Sequence, residues 1–192
     1  MESGAAGGTT AGIRAAAFQE RKAPQGAGGI LMKKGLLIVV SSPSGGGKGT
    51  ILKALFARNE NLRLSVSATT RAPREGEQDG VHYHFITKEQ FRQNIADGAM
   101  LEYAEYCENY YGTPKAPIQA WLEAGHDVVL EIEVQGGRQI KAAAPDCVSL
   151  FILPPSLEVL EKRLRGRGTE TEAVIEKRLR AAEEEIRCVK DY

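Results

Sequence analysis

Two rhythms of apolar and polar positions run along this chain. Leu36-Leu37-Ile38-Val39-Val40 is apolar without alternation, which predicts a strand buried on both faces of a parallel sheet. A glycine-rich turn follows, and then Ile51, Leu52, Leu55 and Phe56 recur at helical spacing. Residues 64–69 alternate as a short second strand. Over 128–135, Leu130, Ile132 and Val134 point one way while Glu131, Glu133 and Gln135 point the other, the period of a strand. Residues 148–153 make a further apolar strand, ended by Pro154-Pro155. Two helices are expected to close the chain. The first runs from Ser156, its N-cap, to about Arg165. The second starts near Thr169, whose Thr-x-x-Glu spacing to Glu172 is a capping box, and runs toward Val189. Strands alternating with helices predict an α/β layered fold with a parallel sheet. Residues 69–117 break this rhythm, being rich in Tyr, Gly and charge, and read as an insertion carrying a site. No internal repeat is present.

Composition narrows the classes of partner. The chain has 192 residues, 42% of them hydrophobic, with 25 Lys and Arg against 25 Asp and Glu. That is enough apolar material for one domain core. A net charge of zero argues against a nucleic-acid coat or a polybasic membrane patch, so any basic site must be local. No apolar run reaches the ~20 residues of a membrane-spanning helix. Cys107, Cys147 and Cys188 are odd in number and widely spaced. A disulfide framework or zinc site is not expected, and a reducing cytoplasm is the plain reading. Residues 1–31, dominated by Gly and Ala, lack a sustained apolar period and read as a disordered extension. A signal peptide needs a continuous apolar stretch that is missing there. Arg14, Arg21 and Lys22 suit a transit peptide, but Ser is scarce and Glu2 and Glu20 intervene. Met32-Lys33-Lys34-Gly35 directly precedes the first strand, so an upstream start codon is the preferred account.

The glycine-rich turn carries the first chemistry. Ser42-Pro43-Ser44-Gly45-Gly46-Gly47-Lys48-Gly49-Thr50 lies between a buried strand and a helix. Glycines there let backbone N–H groups converge on phosphate oxygens, the helix N-terminus adds positive potential, and Lys48 reaches the terminal phosphates. These residues are the candidate triphosphate site. The loop departs from the general pattern at Ser42, in place of the leading Gly, and at Gly49, where Ser or Thr is usual. A Mg²⁺ contact therefore falls to Thr50 or to bridging waters.

Further motifs follow in order. Ser67-Ala68-Thr69-Thr70-Arg71-Ala72-Pro73-Arg74-Glu75-Gly76-Glu77 leads to Gly80-Val81-His82-Tyr83-His84-Phe85, then to Glu102, Asn109-Tyr110-Tyr111-Gly112-Thr113 and Glu131-Ile132-Glu133-Val134-Gln135-Gly136. With the phosphate loop, this series resembles guanylate kinase, a P-loop nucleoside-monophosphate kinase family, from Leu36 to Tyr192. The run Thr-Thr-Arg-x-Pro-Arg-x-Gly-Glu is far more specific to that family than the loop. The resemblance implies a P-loop three-layer core with a parallel sheet, an inserted GMP-binding subdomain and a helical lid. It implies a core at 32–68, 118–154 and 179–192, a GMP-binding subdomain at 69–117 and a lid at 155–178. The implied reaction is ATP-dependent, Mg²⁺-dependent phosphorylation of GMP, and of dGMP, to the diphosphate.

The residue chemistry suits those roles. Arg71 and Arg74 flank a stiffening proline, so two guanidinium forks can grip one phosphate dianion, with Tyr83 and Tyr111 as added donors. Guanine offers N1–H and N2–H₂ as adjacent donors, for which a carboxylate is the natural acceptor, and Glu102 is the family's residue for it. Ser67 and Thr113 complete the edge. Adenine presents an acceptor at N1, so the same carboxylate would reject it; unpaired buried polar groups can discriminate by ~10⁴. By resemblance, Glu133 touches GMP and Glu131 orients Mg²⁺ waters, with Glu in both places where many relatives have Asp. The segment 160–168 resembles the lid, with Arg163 and Arg167 four apart on one helical face. Arg178 falls on the stripe Val174, Arg178, Ala182, where an apolar residue is expected, so its charge wants an anionic partner. Lys48, Arg163, Arg167 and Arg178 would form the catalytic cation set. Arg165 reads as solvated, and His82, His84 and His126 have no metal-like spacing.

Rival classes make different demands. A guanylate-kinase-like scaffold that reads phosphopeptides typically loses the phosphate loop, which is intact here. A motor NTPase wants a basic surface. A third alternative is an inactive or weakened fragment, because the family continues beyond the equivalent of Asp191-Tyr192 into an edge strand, an adenine-side segment and a helix.

Overall fold

A computed structural model describes residues 34–106, 108–166 and 171–192. Its centre is a parallel sheet in the order β2-β7-β1-β8, formed by β1 (Leu37–Ser41), β2 (Leu62–Leu64), β7 (Asp127–Glu131) and β8 (Val148–Phe151). The unalternated run of β1 follows from burial on both faces: Val39 is 0% exposed and Val40 2%. On one face Val39 joins Leu101, Ile118, Leu130 and Ile140; on the other Val40 joins Leu52, Leu62 and Val129. Helices α1 (Lys48–Phe56), α3 (Lys115–Glu123) and α4 (Val134–Ala143) complete the layers, so the expected α/β architecture with a parallel sheet is what forms.

A second sheet, ordered β4-β3-β6-β5, is made of β3 (Ala68–Thr69), β4 (His84–Phe85), β5 (Met100–Tyr106) and β6 (Asn109–Pro114). Helix α2 (Lys88–Ala96) begins at a capping box made by Thr87 and Gln90 and buries Phe91 completely beside it. Only β3 overlaps a strand expected from periodicity; β4 has two residues, and β5 and β6, with seven and six, carry Glu, Tyr and Gly rather than an apolar alternation.

Three expectations are corrected. Residues 64–69 are not one strand. The chain leaves the first sheet after Leu64 and enters the second at Ala68, and alternation, a local signal, cannot show which sheet a strand joins. The strand expected over 128–135 stops at Glu131, and Glu133 is the N-cap of α4. Ile132 and Val134 are buried in either reading, so a two-residue period continued through the bend. Finally, α5 (Leu157–Arg165) is capped by the Ser156 hydroxyl as expected, but α6 (Glu172–Arg187), followed by a 3₁₀ turn over Cys188–Asp191, differs in its start and its stripe. Thr171 occupies the N-cap of α6; Thr169, expected there, lies outside the described residues. The inward stripe of α6 is Ile175, Leu179 and Ala182, packed on Leu160 and Leu164 of α5. Val174 is 42% exposed, so the stripe is rotated from the expected one and Arg178 sits half-buried at its margin.

Candidate active site

At the carboxyl end of β1 the chain turns through the phosphate loop into α1. Gly45 and Gly47 adopt φ of 87° and 106°, left-handed values that side chains other than glycine rarely tolerate. Gly47 is the N-cap of α1, so the first amides of that helix are free for an anion. Gly49 is different, since a Cβ there would meet nothing within 4 Å. Neither space nor backbone conformation demands glycine after Lys48. The loop lines a cavity of about 970 Å³ together with Thr50, Glu131, Glu133, Arg163 and Glu185.

Charges crowd that cavity. The Lys48 ammonium lies 3.7 Å from Glu131; burial pushes its pKa down, and Glu131 chiefly opposes the shift. Arg163 reaches over from α5 and donates to the carbonyls of Gly45 at 3.3 Å and Gly46 at 3.1 Å. Glu185 of α6 accepts from the Ser44 amide, while burial and then Glu133 push its pKa up.

A second cavity, about 380 Å³, opens beside the first. Its walls include Ser67, Arg71, Arg74, Tyr83, Glu102 and Tyr111. Arg71 is held by a two-pronged pair with Glu77, both bonds 2.9 Å, and Glu77 also accepts the Arg74 amide at 2.7 Å. The Arg71 guanidinium therefore holds the Glu77 carboxyl down at about 2. Tyr83 lies under Arg71 at 5.6 Å and meets Tyr111 edge-on at 6.1 Å. At the opposite wall Glu102 is 5% exposed. The Thr113 hydroxyl donates to it at 2.7 Å, yet burial pushes its pKa up to about 7. Gly136, at the start of α4, leaves room for that carboxylate, which a Cβ would strike.

The two cavities share Ser44, Glu131 and Glu133. The structure thus brings together Ser42 through Thr50 in one chamber and Ser67, Arg71, Arg74, Tyr83, Glu102 and Tyr111 in the other, with Thr113 behind Glu102. Arg163 sits on the loop, Arg178 stays on the flank of α6, and Arg167 lies outside the described residues. Sequence reasoning gave no role to Glu77, Tyr106 or Glu185. Glu77 stands three residues after Arg74 in the same motif. Glu185 stands seven after Arg178, hence on the same side of one helix, and that spacing was the available signal. Among the described residues no group of three His, Cys, Asp or Glu is arranged to hold a metal, and no helix is long and apolar enough to cross a membrane.

Comparisons with known proteins agree with this geometry. The family model for guanylate kinase matches residues 34–192. The guanylate kinase of Clostridioides difficile is 60% identical over 163 residues, covering 85% of this chain and 80% of that protein. The guanylate kinase of Carboxydothermus hydrogenoformans is 55% identical, covering 81% and 76%. In structure, the guanylate kinase of Anaplasma phagocytophilum superposes with a TM-score of 0.66 at 34% identity, covering 85% of this chain and 76% of that one. The phosphate loop, the Arg71–Arg74 loop and the buried Glu102 thus stand on a chain that belongs to the guanylate kinase family.

Proposed function

We propose that the protein transfers the γ-phosphoryl group of ATP to GMP, and to dGMP, giving ADP and the guanosine diphosphate. The observation that carries this reading is the junction of the two cavities at Ser44, Glu131 and Glu133. One chamber is built for a nucleoside triphosphate, and its neighbour combines a guanidinium pair with a buried carboxylate.

In this reading Ser42 through Thr50 cradle the ATP phosphates, with Lys48 on the terminal groups. Arg71, Arg74, Tyr83 and Tyr111 hold the GMP phosphate; Glu102 accepts from guanine N1–H and N2–H₂, with Ser67 and Thr113 completing the edge. Glu133 contacts GMP at the junction. A phosphate oxygen of GMP, already ionised, attacks the γ-phosphorus while the bond to the β,γ-bridging oxygen breaks and ADP leaves, so no general base is required. Charge spreads over the transferring group, and Lys48, Arg163, Arg167 and Arg178 stabilise it electrostatically. Closure of α5 and α6 would exclude water and limit ATP hydrolysis.

The residues present suit Mg²⁺, which keeps several waters and few protein ligands alongside phosphates. The Thr50 hydroxyl and the Glu131 carboxylate line the triphosphate chamber and would hold it, directly or through water. Bound there, the ion neutralises phosphate charge. Purine nucleotide metabolism in the cytoplasm is the corresponding setting, with no nucleic-acid or membrane partner.

The test is GMP-dependent ADP formation by the purified protein. Lys48→Ala and Arg71→Ala are each expected to lower kcat/KM by at least ~10³-fold, with GMP strongly preferred over AMP in the parent. Efficient phosphorylation of AMP would overturn the reading.

A further inference from the structure

One buried hydrogen-bonded chain is left over once the cavity walls are accounted for. Tyr192 follows the 3₁₀ turn after α6, and its hydroxyl donates to Ser41 Oγ at 2.8 Å. Ser41 in turn donates to the Ile132 carbonyl at 2.9 Å and is 0% exposed. Ser41 is the last residue of β1, directly before the phosphate loop. Ile132 lies between Glu131 and Glu133, which stand where the two cavities meet. Neither Tyr192 nor Ser41 lines either cavity.

The tyrosine is held on several sides. Its ring meets Phe151 edge-on at 5.2 Å. The preceding Asp191 is tied to α4 by Arg138 at 2.7 Å and, through its carbonyl, by Lys141 at 2.5 Å. Gly137 of α4 closes the remaining side, because a Cβ there would run into the Tyr192 hydroxyl. Its neighbour Gly136 makes the same close approach to Glu102. The glycine pair therefore seats one helix against the guanidinium-and-carboxylate chamber and against the tyrosine chain at once.

The geometry points to Tyr192 as a positioning residue for phosphoryl transfer, acting through Ser41 to fix the phosphate loop against the strand end that carries Glu131 and Glu133. The physical basis is that Ser41 has one buried hydroxyl to serve two segments. Its proton goes to the Ile132 carbonyl, and its lone pair is filled by Tyr192, so the three groups polarise one another in a low-dielectric interior. Removing the tyrosine hydroxyl leaves that lone pair unfilled and the loop free to drift from the carboxylates. Transfer between two bound nucleotides depends on alignment more steeply than binding does, since misplacement by about 1 Å can cost ~10²-fold in rate. This inference rests on the proposed transfer to GMP.

The experiment compares Tyr192→Phe, Ser41→Ala, their double variant and Gly137→Ala with the parent. The readouts are kcat at saturating ATP and GMP, KM for each substrate, equilibrium affinity for ADP, and Tm. Tyr192→Phe is expected to lower kcat about 3- to 10-fold while KM for GMP changes less than about twofold. The double variant should be no worse than the poorer single, as expected for two members of one chain. Gly137→Ala, which leaves the hydroxyl in place but displaces it, should lower kcat at least as much as Tyr192→Phe. A fall in Tm with kcat within about twofold of the parent would make Tyr192 a packing residue and overturn the assignment. So would multiplicative losses in the double variant. A parent that fails to phosphorylate GMP refutes the proposed function instead, and the chain is then judged on ADP affinity, where multiplicative losses in the double variant overturn it.

Discussion

Burial gives Glu102 two opposed dependences on pH. The carboxyl is 5% exposed and keeps its proton up to about pH 7 in the folded protein, against a reference value of 4.5. Between those values the folded state binds more protons than the unfolded chain, so stability falls as pH rises through that window and levels off above it. In the proposed reading, recognition of guanine runs the other way, because only the carboxylate accepts from both N1–H and N2–H₂. We therefore expect KM for GMP to decrease as pH rises from about 5.5 to 8. Glu102→Gln should flatten the Glu102 part of both profiles and stabilise the protein above pH 7, while weakening GMP selection over AMP by ~10² or more. The GMP phosphate titrates in the same range, and the glutamine variant retains that titration, so the difference between the two profiles isolates Glu102. An unchanged difference across pH would show that this carboxyl is not the group being read. Glu77, in contrast, was present in the motif without a visible role. Its value lies in the two-pronged grip on Arg71, a pairing across a loop that linear spacing does not encode.

Elements were legible where burial is uniform along them and illegible where it changes partway. β1 is buried on both faces, and its apolar run stated as much. The region from 128 to 135 misled because a strand end and a helix start share the same alternation for a few residues. The strand ends at Glu131 and Glu133 caps α4, which places Gly136 and Gly137 close to Glu102 and Tyr192, contacts that a local period does not encode. The two-residue strands of the second sheet are too short to generate any period. The pairing of α5 with α6 illustrates the opposite case, since its apolar stripe was visible and only its rotation was wrong. Leu160 and Leu164 are both 0% exposed there, and Leu164 also lies where a Cβ on Gly45 would be 3.3 Å away. Leu164→Ala should therefore cost about 2–5 kcal/mol in chemical denaturation, whereas Ser156→Ala, which removes only the cap of α5, should cost about 1 kcal/mol. The larger loss should also raise KM for ATP, because α5 presents Arg163 to the loop carbonyls. Equal costs for the two variants would mean that the α5–α6 cluster does not support the loop.

At the scale of the whole molecule, a net charge of zero conceals a divided surface. Lys48 and Arg163 stand at one chamber and Arg71 and Arg74 at the other, while Glu131 and Glu133 belong to both. In the proposed reading, two anionic nucleotides entering such a site meet cations at their own ends and carboxylates between them. A single ligand that spans both chambers avoids the cost of bringing two molecules together, and its second half binds at an effective concentration near millimolar. Adenosine and guanosine joined by a chain of five phosphates is the appropriate probe. It should bind at least 10²-fold more tightly than ATP, compete with both ATP and GMP, and at one hundred times its Kd stabilise the fold by about 2.7 kcal/mol. The Glu102→Gln variant should lose the guanosine part of that gain and keep the adenosine part. If the linked compound competed with ATP alone, or bound no better than ATP, the two chambers would not be halves of one site, however close Ser44, Glu131 and Glu133 bring them.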